Sequence, residues 1–425
     1  MTCARAVLLL AACAATLVAL AAHPADGGLT LRPPNTQPAS DSVEGGLWGH
    51  AQRAEQALLG SADINDDGPL GNFVTQVACR VAPDYCGELR VYVVDRPFFN
   101  ATAYANGALE VWSGLLLRAR TEDELAFVIG HEVAHYARNH SLARQERENT
   151  TRNVLLAVNV ALTAGTVAAV GSVAGAPNGA QAIDSISQAA QALSNLAYLA
   201  GMAHVFSYSR EQEEEADHLG HLRMVRAGYA PAASAEIWRQ LVAEHRSSDI
   251  EDVRESDVHG TIFDTHPITV DRIRNLGVLA NGAPMPTELA GQRAYRERIR
   301  PFIDRWLVDE LRRRDFGETL HLLDRMEALG EDLGLLAFYR GEALRRRGGP
   351  GDSDAAVAAY RLAAAHEDAP DATWRALGDV LSKAGDIDSA IEAYEGYLAR
   401  APDANDRWLV EATLKSLKSR KEARS

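Results

Sequence analysis

TEDELAFVIGHEVAHYARNH occupies residues 121–140. Its first half reads as a helix start. Thr121 and Glu124 form a capping-box pattern, and Leu125, Val128 and Ile129 recur at helical spacing. Within this helix, predicted over about 122–147, His131 and His135 stand four apart. Positions i and i+4 are neighbours, about 5–6 Å apart at Cβ, so both imidazoles can address one ion. Zinc takes nitrogen ligands at about 2.0–2.1 Å and, in catalytic sites, a third protein ligand plus water. Glu132 is placed to take a proton from such a water as general base. An ordinary polar helix face could also carry His-Glu-His. Here, however, the trio follows the apolar run LAFVIG and is interleaved with Val133 and Ala134.

A third ligand has to come from another segment. EQEEEADHLGHLRMVRAG, residues 211–228, reads as a helix stopped by Gly228 and Pro231. Glu213 and Asp217 stand four apart on it. One carboxylate can bind the metal while the other orients a ligand imidazole through a hydrogen bond. A run of acids is otherwise a solvated face, and spacing alone does not say which carboxylate does which. Upstream, helical sequence is expected at 46–60 and 70–81, with strands at 88–95 (ELRVYVVD) and 107–114 (GALEVWSG).

Four separated motifs, in order, resemble the HtpX-type zinc metallopeptidases: HEVAH; Ser209-Arg210 with Glu213, Glu215, Ala216 and Asp217; NATAYANGALEVWSGLL at 100–116; and DTHPITVDRI at 264–273. The resemblance covers about 70–275. It implies Glu213 as third zinc ligand beside His131 and His135, with Asp217 supporting a ligand from behind. Tyr104-Ala105-Asn106 departs from the family's commoner Leu-Pro-Gly and leaves the shape of that turn open. Asn106, Gly107, Ala108, Leu109 and Glu110 are expected on an edge strand that pairs with extended substrate, unless that strand is paired on both sides. His266, held extended by Pro267, is a candidate fourth ligand or switch; local ordering of its loop and support of transition-state charge are the alternatives.

The remainder of the 425 residues sets the context. A net charge of −15 disfavours nucleic acid as a partner. MTCAR followed by AVLLLAACAATLVALAA reads as a signal peptide over 1–22, with a retained anchor or a lipobox ending at Cys13 as alternatives. Residues 23–45 read as a flexible linker. Cys79 and Cys86 then remain, and such a pair in an exported protein is expected to form a disulfide, free thiols being the other reading. Residues 154–176 are long enough to span a bilayer, but 182–206 carries Asp184, Gln188, Gln191 and Asn195. A single span would separate His135 from Glu213, so no transmembrane span is expected, although this pair could touch lipid peripherally.

Towards the C-terminus, Trp374, Leu377, Gly378, Leu381, Ala390, Tyr394 and Pro402 fall on the tetratricopeptide pattern. Gly341, Leu344, Ala356 and Tyr360 repeat it one unit earlier, and a weaker unit lies near 302–330. The expected fold class is α+β, mostly α. A gluzincin-type metallopeptidase domain with a small β-sheet (46–300) precedes an α-solenoid of tetratricopeptide repeats (301–420). A zinc peptidase joined to such repeats resembles the periplasmic β-barrel assembly-enhancing proteases. The resemblance implies one Zn²⁺ per chain, unfolded or misassembled proteins as substrates, and a protein partner on the repeats, such as outer-membrane assembly machinery. The competing reading is a non-catalytic chaperone or adaptor acting through the repeats.

Overall fold

The computed structural model describes residues 31–150, 166–168, 208–255, 266, 268–284 and 289–423. The signal segment, Cys13 and nearly all of the apolar pair at 154–206 lie outside them. No helix among the described residues is long and apolar enough to cross a membrane.

Residues 31–45 are not a free linker. Arg32 is buried, its guanidinium 5.1 Å from the ring centroids of both Trp48 and Tyr136. A cation between two aromatic faces is held by the ring quadrupoles. Ser42 caps α1 (Val43–Leu59), and Asp67 caps α2 (Gly68–Val81). Strand β1 (Arg90–Val94) pairs in parallel with β3 (Ala108–Trp112), which pairs on its other side with antiparallel β2 (Ala101–Ala103). The order is β1-β3-β2. This corrects the expectation for 106–110: Ala108, Leu109 and Glu110 lie on the central strand, not on an edge, and Asn106 and Gly107 lie in the turn before it. The turn Tyr104–Gly107 folds ATA back against LEV, with Gly107 at φ +83°, where a Cβ would sit 2.8 Å from Glu88 O. A three-residue strand is too short to show a period, which is why β2 escaped the sequence.

Short α3 (Ser113–Arg118) leads to α4 (Glu122–Ala137), the helix that carries HEVAH. Thr121 caps it as expected, whereas Glu124 turns away to accept from Arg120 N at 2.7 Å. Every residue from Glu124 to Ala137 is buried, so α4 is the central rod of the domain and not a half-exposed helix. It also ends ten residues before the predicted 147. Asn139 takes φ +52°, and a separate helical stretch runs from 140 to 150. Asn is one of the few side chains that occupy this left-handed region readily. Helix α5 (Arg210–Arg226) starts with a full Ser209–Gln212 capping box and crosses α4 where Gly130 faces Gly220. Helices α6 (Ala233–His245), α7 (Glu251–Glu255) and α8 (Val270–Leu279) follow.

The boundary expected at 300 falls inside α9 (Leu289–Arg312). Tyr295, Ile299, Ile303 and Trp306 of this helix share one apolar core with α2, α4 and the sheet, and that core continues to Ala343. It takes in α10 (Phe316–Glu327) and much of α11 (Leu333–Arg347). A second core begins at Leu344 and joins α12 (Asp352–Ala364), α13 (Ala372–Ala384), α14 (Ile387–Arg400) and α15 (Arg407–Glu422). In each of two successive hairpins a glycine receives a tyrosine ring. A Cβ on Gly341 would lie 2.5 Å from Tyr360, and one on Gly378 would lie 2.8 Å from Tyr394. Those are the small and large positions of the repeat pattern.

Candidate metal centre

Helix α4 aims His131 and His135 at the same point, with their Nε2 atoms 3.1 Å apart. Helix α5 adds Glu213, whose Oε1 lies 3.4 Å from His135 Nε2. His266 enters before α8, its Nδ1 2.9 Å from Glu213 Oε1 and 3.3 Å from His131 Nε2. One ligand atom from each of the four lies within 4.8 Å of the others, and all four residues are buried. Three imidazole nitrogens and a carboxylate oxygen converge here. Their lone pairs repel unless protons or a cation stand between them, and this donor set suits a divalent borderline metal.

The converging donors are held from behind. Asp217 Oδ1 is 3.0 Å from His131 Nδ1, and Arg272 donates to both Asp217 oxygens at 2.7 and 2.8 Å. Arg272 Nη1 also lies 2.7 Å from Glu213 Oε2. Thus one guanidinium fixes both the Glu213 carboxylate and the carboxylate behind the His131 imidazole. The sequence had set out Arg272 within DTHPITVDRI without assigning it a task. His135 stacks on Tyr208 at 4.0 Å between centroids, and its Nδ1 lies 2.9 Å from Nδ1 of His140. His140 follows the left-handed residue Asn139, and Tyr208 immediately precedes the Ser209 cap of α5, so neither carries a periodic signal in the sequence.

Glu132 sits beside this cluster, 3.6 Å from His266 Nε2, and its Oε2 accepts from Ala103 N of β2 at 3.1 Å. Burial pushes its carboxyl up from the ordinary glutamate range. Burial likewise opposes charge on His131, but Asp217 and Glu213 outweigh it and raise this imidazole to about 9. Burial drives His135 well down, and takes His140 to about 4 despite Glu215. Glu213 is held well below its ordinary range, where His266, Arg272 and His135 overcome the cost of burial.

Comparison with known families matches Peptidase family M48 over residues 70–279, and Tetratricopeptide repeat over 371–414. Residues 70–279 belong to peptidase family M48. The matched span holds all of the converging donors. A Vibrio cholerae protein provisionally named beta-barrel assembly-enhancing protease is 29% identical over 245 residues, covering 56% of this chain and 44% of that protein. The Mitochondrial metalloendopeptidase OMA1 of Arabidopsis thaliana is 38% identical over 68 residues, 16% of this chain and 13% of that one. The chain therefore spans less than half the length of these curated relatives. Family and geometry together make the N-terminal unit a metallopeptidase domain, followed by tetratricopeptide repeats.

Proposed function

We propose that this M48 protein is an exported zinc endopeptidase of envelope protein quality control, cleaving misfolded or stalled outer-membrane proteins in the periplasm. The observation that carries the peptidase reading is the buried convergence of His131, His135, Glu213 and His266 next to Glu132. His131, His135 and Glu213 would hold the ion. Zinc, when bound, supplies the Lewis acidity that acidifies water and polarises a peptide carbonyl. Glu132 takes the proton from the attacking water and passes it to the leaving amine; its bond to Ala103 N holds the accepting carboxylate in place. Asp217 and Arg272 keep His131 and Glu213 aimed. Strand β2, and not β3, is the strand next to the base, so extended substrate is assigned to β2.

The envelope setting rests on the leader-like N-terminus, the Cys79–Cys86 disulfide and the Vibrio relative's printed name. The repeats are assigned a protein partner, with outer-membrane assembly machinery as the first candidate. The second reading is a non-catalytic adaptor, favoured only by the repeats. Incubation of purified full-length protein with casein, with and without a chelator, tests the choice. Chelator-sensitive cleavage is expected. Zinc-loaded protein that leaves casein intact while still holding unfolded chains would make it an adaptor.

A further inference from the structure

The two imidazoles of the HEVAH helix are supported differently. His131 Nδ1 faces a carboxylate directly. His135 Nδ1 faces another ring, that of His140, and among the described residues no carboxylate approaches it as closely. From this asymmetry we infer that His140 is a positioning residue for the metal site, setting the tautomer and tilt of His135 through a relay that ends on Glu215. The inference rests on the metal reading of His131, His135, Glu213 and His266.

The relay follows from proton counting. A neutral imidazole that offers Nε2 to a metal must carry its hydrogen on Nδ1. That hydrogen needs an acceptor, and His140 Nδ1 lies 2.9 Å away. His140 Nδ1 must then present its lone pair, so its own hydrogen sits on Nε2. Nε2 lies 3.1 Å from Glu215 Oε2, an acceptor only. Glu215 is in turn paired with Arg138, Nε to Oε1 at 2.7 Å. Each proton has one donor and one acceptor, and a single assignment satisfies all of them. The matching chain behind His131 also ends on an arginine, through Asp217 and Arg272.

The backbone is built to make this contact. On an uninterrupted helix, residue 140 would stand roughly 140° around the axis from residue 135 and face away. The left-handed turn at Asn139 ends α4 and returns His140 to the ring of His135. Gln212, in the first turn of α5, donates to His140 O at 3.5 Å and ties the turn to the helix that carries Glu213. His140 is buried, so the interaction is sheltered from water.

Zinc affinity of the full-length chain, by competition with a chromogenic chelator, tests the relay. His140→Leu should bind about 10–100-fold more weakly than wild type, the usual cost of losing such support. His140→Asn should recover most of that loss, since its Oδ1 can accept from His135 Nδ1–H. Glu215→Leu, at a partly exposed position where folding is not at stake, should weaken binding severalfold. Melting of the metal-free proteins separates packing from positioning. Wild-type affinity in His140→Leu would overturn the inference. So would equal losses in the Leu and Asn variants that simply follow their melting temperatures. A wild-type chain that binds no zinc would instead remove the metal reading beneath it.

Discussion

At the residue scale the site divides into groups that would touch the ion, groups that hold them, and Glu132 as the proposed base. Glu132 is 3.6 Å from His266 and bonded to a main-chain N–H, so replacing its carboxylate by an amide keeps the shape and removes the proton acceptor. Glu132→Gln should therefore keep wild-type zinc content and lose roughly 10²–10⁴ in peptidase rate. Metal analysis beside a peptide assay reads both; normal turnover would refute the mechanism. His266 is the more informative substitution. Its Nδ1 lies among the ligand atoms of the other three residues, where it can fill the position a water needs. His266→Ala should raise basal proteolysis and self-cleavage if the resting enzyme is latent. Loss of activity with zinc retained would assign the imidazole to transition-state charge, and an unchanged rate would leave it only ordering its loop. His131, Glu132 and His135 were legible because four-residue spacing on a helix is local geometry. Glu213 and Asp217 were legible as a pair for the same reason, and only the family resemblance proposed a different task for each. Arg272 was not, because its use depends on two other helices meeting it; His140 was hidden by a single left-handed residue.

At the element scale the helices carrying the proposed ligands meet through glycine. A Cβ on Gly220 would lie 2.7 Å from His131 N and 3.0 Å from Gly130 C. Both are backbone atoms and cannot swing aside, so Gly220→Ala must push α5 away from α4. Such overpacking typically costs about 1–3 kcal/mol. It also moves Glu213 relative to His131, so zinc affinity should fall together with melting temperature. An alanine variant with wild-type affinity would show that the crossing has slack. The Cys79–Cys86 bridge works on a neighbouring element, closing a separation of seven residues at the end of α2. Tyr85, inside that loop, donates to Arg32 O at 2.7 Å and packs edge-on against Tyr136 of α4. By loop entropy the bridge is worth about 2.5 kcal/mol. Denaturant titration with and without reductant should show a loss of that size, and identical curves would contradict it. Helix positions were read well because their stripes are periodic. The end of α4, strand β2 and the packing of residues 31–45 were missed because a turn, a three-residue strand and one buried arginine have no period.

At the scale of the whole molecule, the peptidase domain and the first repeat are joined by charge as well as by apolar surface. Arg118, at the end of α3, donates to Glu244 of α6 at 2.7 Å and to both oxygens of Glu310 on α9, at 3.1 and 2.9 Å. Arg313 bridges Glu310 to Glu318 of α10. Arg118, Glu244 and Glu310 are all buried. Sequence reading put a domain boundary at 300 because the repeat pattern begins there, and it could not see that these charges close over the seam. Arg118→Met removes one cation and leaves two buried carboxylates without it, which costs on the order of 3–5 kcal/mol. The same network fixes the acid response. Burial opposes the charge of Glu318, but His245, Arg313 and Arg118 hold it down at about 2, and Glu310 is also lowered. A folded-state value below the ordinary 4.5 contributes stability that is fully present above that pH and is lost as pH falls through the folded value. Wild-type stability, measured as the urea midpoint, should hold from pH 7 to about 5 and then fall steadily towards pH 2. In Arg118→Met the midpoint should start lower and fall less over the same range, since part of what protonation destroys is already gone. Equal acid slopes in the two proteins would mean that the buried charges at the seam do not govern how the repeats stay attached to the peptidase.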